Sequence, residues 1–128
     1  MKPIIVFSII ILAACASSQT DVPQDMLLAD QGYSELIKGN YERAEAIFTV
    51  ALSINPENPY ALLNLGVLYQ NTGQLEKARE MYQRLIDTKT EAVAVQSTSS
   101  KYKKKKLVEI AKENLAAIGS GSGPNRMK

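Results

Sequence analysis

The chain has 128 residues, 45% hydrophobic and 22% charged, with a formal net charge of +2 and neither histidine nor tryptophan. That length holds one small domain, and so small a net charge names no partner. With no histidine the commonest general base and metal ligand is missing, and the single cysteine, Cys15, excludes an intrachain disulfide.

Residues 1–14 read as an address rather than as structure. Lys2 is a positive start, Ile4 to Leu12 is a nearly unbroken apolar run, and small Ala13 and Ala14 lead into Cys15. The run is too short to cross a bilayer, which needs about 20 apolar residues, but it has the length of a signal-peptide core. The tetrad Leu12-Ala13-Ala14-Cys15 resembles the lipobox of bacterial lipoproteins, in which the cysteine is lipidated and the bond before it is cut. The resemblance implies a diacylglycerol on the sulfur of Cys15. An acyl chain gives about 0.8 kcal/mol per buried methylene, and two or more chains hold a protein stably on a membrane. An ordinary secretory signal with a chance cysteine is the alternative. In that family an aspartate after the cysteine marks inner-membrane retention; Ala16 stands here, which implies the outer membrane, facing the periplasm. Residues 15–24 are polar, carry Pro23 and show no apolar period, so they read as a flexible tether.

Helical periodicity starts at residue 25. Met26, Leu27, Ala29, Tyr33, Leu36 and Ile37 recur at helical spacing, with Asp25 placed as the N-cap. Lys38-Gly39-Asn40 stops that helix. A second stripe runs through Tyr41, Ala44, Ile47, Phe48, Ala51 and Leu52, and Asn55-Pro56-Glu57-Asn58-Pro59 breaks it. Pro59 suits the first position of a third helix ending near Gln70. After a turn at Asn71 to Gln74, Leu75, Ala78, Met81, Tyr82, Leu85 and Ile86 make a fourth stripe. Glu42, Glu45, Glu76 and Glu80 fall on positions that read as solvent-facing.

Shifting the chain by 34 residues brings Gly32 onto Gly66, Gly39 onto Gly73, Ala44 onto Ala78, Phe48 onto Tyr82 and Glu42-Arg43 onto Glu76-Lys77. Residues 25–58 are one unit and 59–87 a second. The pattern resembles the tetratricopeptide repeat, a helix-turn-helix unit with a Leu-Gly pair, a tyrosine three residues on, then alanine, an aromatic and proline. The second unit carries Leu65-Gly66, Tyr69, Gly73, Ala78 and Tyr82; the first carries Gly32, Gly39, Ala44, Phe48 and Pro56. Two positions depart from it: Gln31 stands where leucine is expected and Glu35 where an aromatic is expected. The small residues Gly32, Gly66, Ala44 and Ala78 are where paired helices approach closely.

A third repeat would place its Leu-Gly pair at Ser99-Ser100 and its alanine at Lys112, so the count stops at two. Residues 88–100 read as a loop, with a short strand or turn open at Ala92 to Val95. Residues 101–118 read as a fifth helix, starting at Tyr102, with Leu107, Ile110, Ala111, Leu115 and Ile118 on one stripe and Gly119 as C-cap. It would cap the apolar flank of the second repeat. Its Lys101–Lys106 run opposes the macrodipole, so that start should fray. Residues 119–128 are flexible by composition. The expected fold is therefore all-α: two helix-turn-helix repeats of an α-solenoid plus a C-terminal capping helix. Two repeats lie below the three usually wanted, which leaves self-association into a homo-oligomer open.

The resemblance implies that the first helix of each repeat lines a concave groove for a peptide or helix of a protein partner. Carried onto this chain, the groove falls on Met26, Ala29, Tyr33 and Leu36, and on Tyr60, Leu63, Asn64, Val67, Gln70 and Asn71. Asn64 offers both a donor and an acceptor to a peptide backbone. The basic clamp by which some such domains hold a carboxylate is not visible, since Ala29 and Tyr33 replace the lysine and asparagine it needs. Core packing of Met26, Leu36 and Leu63 is the alternative. The lysine run reads either as a solvated loop or as a contact for anionic lipid or an acidic partner. No cofactor beyond the lipid on Cys15 is expected, no metal and no nucleic acid, and no catalytic constellation is present. Similar small lipoproteins assist pilus or secretion-system assembly. The resemblance thus implies an envelope adaptor, with a structural subunit of an outer-membrane complex or an accessory to a cell-wall enzyme as alternatives.

Overall fold

A computed structural model describes residues 21–95 and 104–121. The signal segment, Cys15, Lys101, Tyr102, Lys103 and residues 122–128 lie outside the described residues. Among the described residues five helices follow one another: α1 (Gln24–Ile37), α2 (Tyr41–Ile54), α3 (Pro59–Asn71), α4 (Leu75–Asp87) and α5 (Leu107–Gly119). This is the expected all-α solenoid of two helix pairs and a closing helix.

Each pair is a hairpin reversed at a glycine in the left-handed region, Gly39 at φ +82° and Gly73 at φ +78°, where a Cβ would clash with the backbone. Inside each hairpin a second glycine lets the partner helix lay an aromatic ring on its backbone. A Cβ on Gly32 would sit 2.6 Å from Phe48 Cε1, and one on Gly66 2.5 Å from Tyr82 Cε1. Ala44, Ala51 and Ala78 are fully buried in the same seams.

α3 is the central element. It packs on its own partner α4, on both helices of the first repeat and on α5. It therefore buries Ala61, Leu62, Leu63, Leu65, Gly66, Leu68, Tyr69 and Gln70, whereas α1 at the end of the stack buries only Asp25, Ala29, Gly32 and Leu36. Asn58 starts α3 by accepting a hydrogen bond from the Ala61 backbone N–H at 2.9 Å through its side chain, and Pro59 occupies the first turn. α5 covers α4 with Leu107, Ile110, Ala111 and Ile118, the place a further repeat would take.

Three sequence expectations are corrected. Asp25 is not an N-cap: α1 starts at Gln24, directly after Pro23, and the Asp25 carboxylate is buried. There it accepts 2.8 Å hydrogen bonds from the side-chain amides of Asn55 and Asn58, tying the start of α1 to the link between repeats. The fifth helix begins at Leu107 rather than Tyr102. Lys104 takes φ +66°, and Lys104 to Leu107 pair with Ala92 to Ala94 through an isolated antiparallel bridge between Val93 and Lys106. Lysines at a helix N-terminus would oppose its dipole, and this bridge supplies backbone partners instead. Finally, Gly119 closes α5 from within; Ser120 is the C-cap and Gly121 carries the left-handed conformation at φ +67°.

Candidate functional site

α1 and α3 run side by side, and the residues they turn toward the same space line a cavity of about 210 Å³. From α1 come Met26, Ala29, Asp30 and Tyr33, at the helical spacing that puts them on one face; from α3 come Tyr60, Leu63 and Asn64. Ala94, Val95 and Leu107 form the remaining wall. That wall stands because Ala94 N–H donates to the Lys105 carbonyl at 2.8 Å and Leu107 N–H to the Ala92 carbonyl at 2.9 Å. The Tyr60 hydroxyl donates to the Val93 carbonyl at 3.3 Å, fastening the wall to α3.

Six of the ten residues expected in a groove thus meet around one cavity: Met26, Ala29, Tyr33, Tyr60, Leu63 and Asn64. The other four do not reach it. Leu36 is buried between helices, and Val67 and Asn71 are half-buried elsewhere on α3. Gln70 is buried and accepts a 2.7 Å hydrogen bond from the Tyr82 hydroxyl, so its amide serves the core. Sequence reasoning missed Asp30 and the Ala94–Val95–Leu107 wall. Asp30 was findable, being one turn from Met26 and from Tyr33. The only sign of the wall was the small apolar patch at Ala92 to Val95.

Among the described residues the lining is mostly apolar, with Asn64 as its amide and Asp30 as its only charged side chain. Both tyrosines combine an apolar ring with a polar tip, which suits an interface. The opposite side of the stack is different in kind. There the Tyr69 hydroxyl donates to Glu45 at 2.8 Å while the Lys77 ammonium stands 5.0 Å from the Tyr69 ring centre. Burial, then Glu45, pushes the Tyr69 phenol up to about 12, so it stays a donor at neutral pH. Glu45, expected as plain helix surface, is therefore a bridge between repeats. Among the described residues no group of three histidine, cysteine, aspartate or glutamate side chains gathers as a metal ion needs, and no helix is long and apolar enough to cross a membrane.

A tetratricopeptide repeat family model matches residues 35–101. A TPR repeat-containing protein of Methanocaldococcus jannaschii is 31% identical over 62 residues, which is 48% of this chain and 11% of that protein. A heat-shock protein cognate (HSC) co-chaperone of Aspergillus fumigatus is 38% identical over 58 residues, 45% of this chain and 17% of that one. A protein O-mannosyl-transferase of Homo sapiens is 37% identical over 60 residues, 47% of this chain and 7% of the human protein. The chain spans less than a fifth of the length of any of these relatives. No solved structure matches it.

Proposed function

The chain belongs to the tetratricopeptide-repeat family, a family of protein-interaction modules, and from that premise we propose that it is a membrane-anchored adaptor of the bacterial cell envelope. The observation that carries the adaptor reading is the α1–α3 cavity, where Tyr33, Tyr60 and Asn64, only half-buried, face the same space over a floor that includes the core residue Leu63. Aromatic and aliphatic anchors around a few polar groups are the make-up of binding hot spots.

The anchor rests on Leu12-Ala13-Ala14-Cys15. Lipid on Cys15 would hold the module at the outer membrane, facing the periplasm, and a partner caught there would be concentrated locally. Assembly of a pilus or secretion machine is the pathway we favour for such an adaptor. The co-chaperone likeness supports the choice of an adaptor over an enzyme, and the transferase activity named for the human relative is assigned to that protein alone.

Two experiments separate the parts of this proposal. In-cell crosslinking followed by affinity capture should recover a partner with the wild-type chain and lose most of it with the Tyr33→Ala, Asn64→Ala double variant. Both side chains are only half-buried, so the fold should persist, and undiminished capture by the folded variant would refute the groove. Cys15→Ser should leave an uncleaved precursor without lipid; processing and membrane retention as in the wild type would refute the anchor.

A further inference from the structure

The cavity is small and, among the described residues, its lining carries one sign of charge; together these narrow what can sit in it. At about 210 Å³ it lies below the roughly 300–1,000 Å³ of small-molecule sites. It has room for a single large side chain, the kind of anchor that a protein partner inserts into a pocket. Tyr33, Tyr60, Met26 and Leu63 give that anchor apolar walls.

The charge at the rim is negative. Asp30 is exposed on α1, and among the described residues no cation pairs with it. Among the described residues no lysine or arginine stands in the lining. Of the lysines beside the wall, Lys106 bonds Glu91 at 2.6 Å and Lys105 pairs with Glu113 on α5, while Lys104, whose backbone N–H donates to the Ala94 carbonyl, is exposed and outside the lining. Tyr33, three residues along the helix from Asp30, lines the same cavity, and a cation is attracted both to a carboxylate and to an aromatic face. Among the described lining residues a partner's terminal carboxylate or acidic side chain would meet no positive group.

We propose that the α1–α3 cavity selects a bulky apolar side chain with a lysine or arginine next to it, the apolar group seated between Tyr33 and Tyr60 and the cation received by Asp30. This rests on the reading of the cavity as a docking groove, and it adds the sign and size of the occupant.

The test is selection from a randomised dodecapeptide display library on the full chain in detergent, run in parallel on Asp30→Asn and on Tyr33→Ala, Asn64→Ala. Wild type should enrich peptides with an aliphatic or aromatic residue within two positions of lysine or arginine. Asp30→Asn should keep the apolar preference and lose the basic one. For a selected peptide, Asp30→Asn should weaken binding about two- to fivefold, the scale of a solvent-exposed ion pair, with the loss shrinking at high salt. Apolar enrichment without basic residues, or with acidic ones, would overturn the inference and leave the groove standing. Equal enrichment by wild type and the double variant, or none by either, would overturn both.

Discussion

The two repeats use the same geometry with opposite chemistry at its centre. In the first, Phe48 lies on Gly32 beside Leu36; in the second, Tyr82 lies on Gly66 beside Gln70. Phe48 and Tyr82 are both fully buried. The tyrosine hydroxyl, however, donates to Gln70 at 2.7 Å and accepts from Asn114 of α5 at 3.3 Å. The first seam is held by shape alone, while the second is also pinned by directed bonds that reach into the closing helix. A buried hydroxyl is tolerated only with such partners, so the polar pair marks where the stack is handed to its cap.

The outer faces differ in the matching way. On α3, Leu65, Leu68 and Tyr69 are buried against the first repeat; at the same register α1 carries Gln31, Ser34 and Glu35. No preceding repeat covers α1 among the described residues. Glu35 instead accepts bonds from Asn40 at 2.8 Å and Lys38 at 3.0 Å, and these hold its carboxyl below the usual range. The two departures from the repeat pattern are thus what an uncovered end needs, a polar face in place of a stacking face.

The largest effect should come from forcing a methyl under each ring. Gly66→Ala is expected to destabilise by about 2–3 kcal/mol and Gly32→Ala by about 1–2 kcal/mol, overpacking being offset in both by alanine's better helix propensity. The ring of Phe48 can retreat, whereas Tyr82 is tethered at its hydroxyl. Urea denaturation measures both, and equal losses would break the distinction between the seams. Next comes the clasp joining the repeats: Asn58→Ala removes the α3 cap and one donor to Asp25, at an expected cost of about 2 kcal/mol. Loss of less than half that in the same assay would mean that the stack does not depend on it.

Tyr82→Phe should cost about 1 kcal/mol. Phe48→Tyr alone should also destabilise, because Leu36 offers its hydroxyl nothing. Adding Leu36→Gln should recover about 1 kcal/mol as coupling, measured by a double-mutant cycle, and zero coupling would show that the polar pair is not portable between repeats. The smallest effect is on pH. The amides of Asn55, then Asn58, hold the Asp25 carboxyl below its ordinary value of 3.8. Its contribution is therefore complete above that value and fades as pH falls through the lower folded one. The stability gap between wild type and Asp25→Asn should narrow as pH falls below 3.8 and on through the lower folded value; a gap constant with pH would show that the clasp does not titrate.

Period and sterics made the repeats legible in the residues themselves. The coincidence of Gly32 with Gly66 and of Phe48 with Tyr82 located both seams, because only a missing Cβ lets an aromatic ring lie on a helix. The groove was half legible. Met26, Ala29, Tyr33, Tyr60, Leu63 and Asn64 followed from helix register. Gln70 was misplaced because its partner, Tyr82, lies twelve residues on and across the hairpin. The wall from Ala94 to Leu107 was hidden for a different reason: a single bridge between two chain segments leaves no periodic signature. Asp25 shows the same limit, since its role depends on Asn55 and Asn58 a full repeat away.

On this reading the described residues present one receptive face, the cavity between α1 and α3. Photo-crosslinking residues installed singly at Tyr33, Asn64 and Val50, the last exposed on α2, test it in the cell that makes the protein. One discrete protein adduct is expected from Tyr33 and Asn64 and none from Val50. An adduct from Val50 alone, or the same adduct from all three positions, would contradict it.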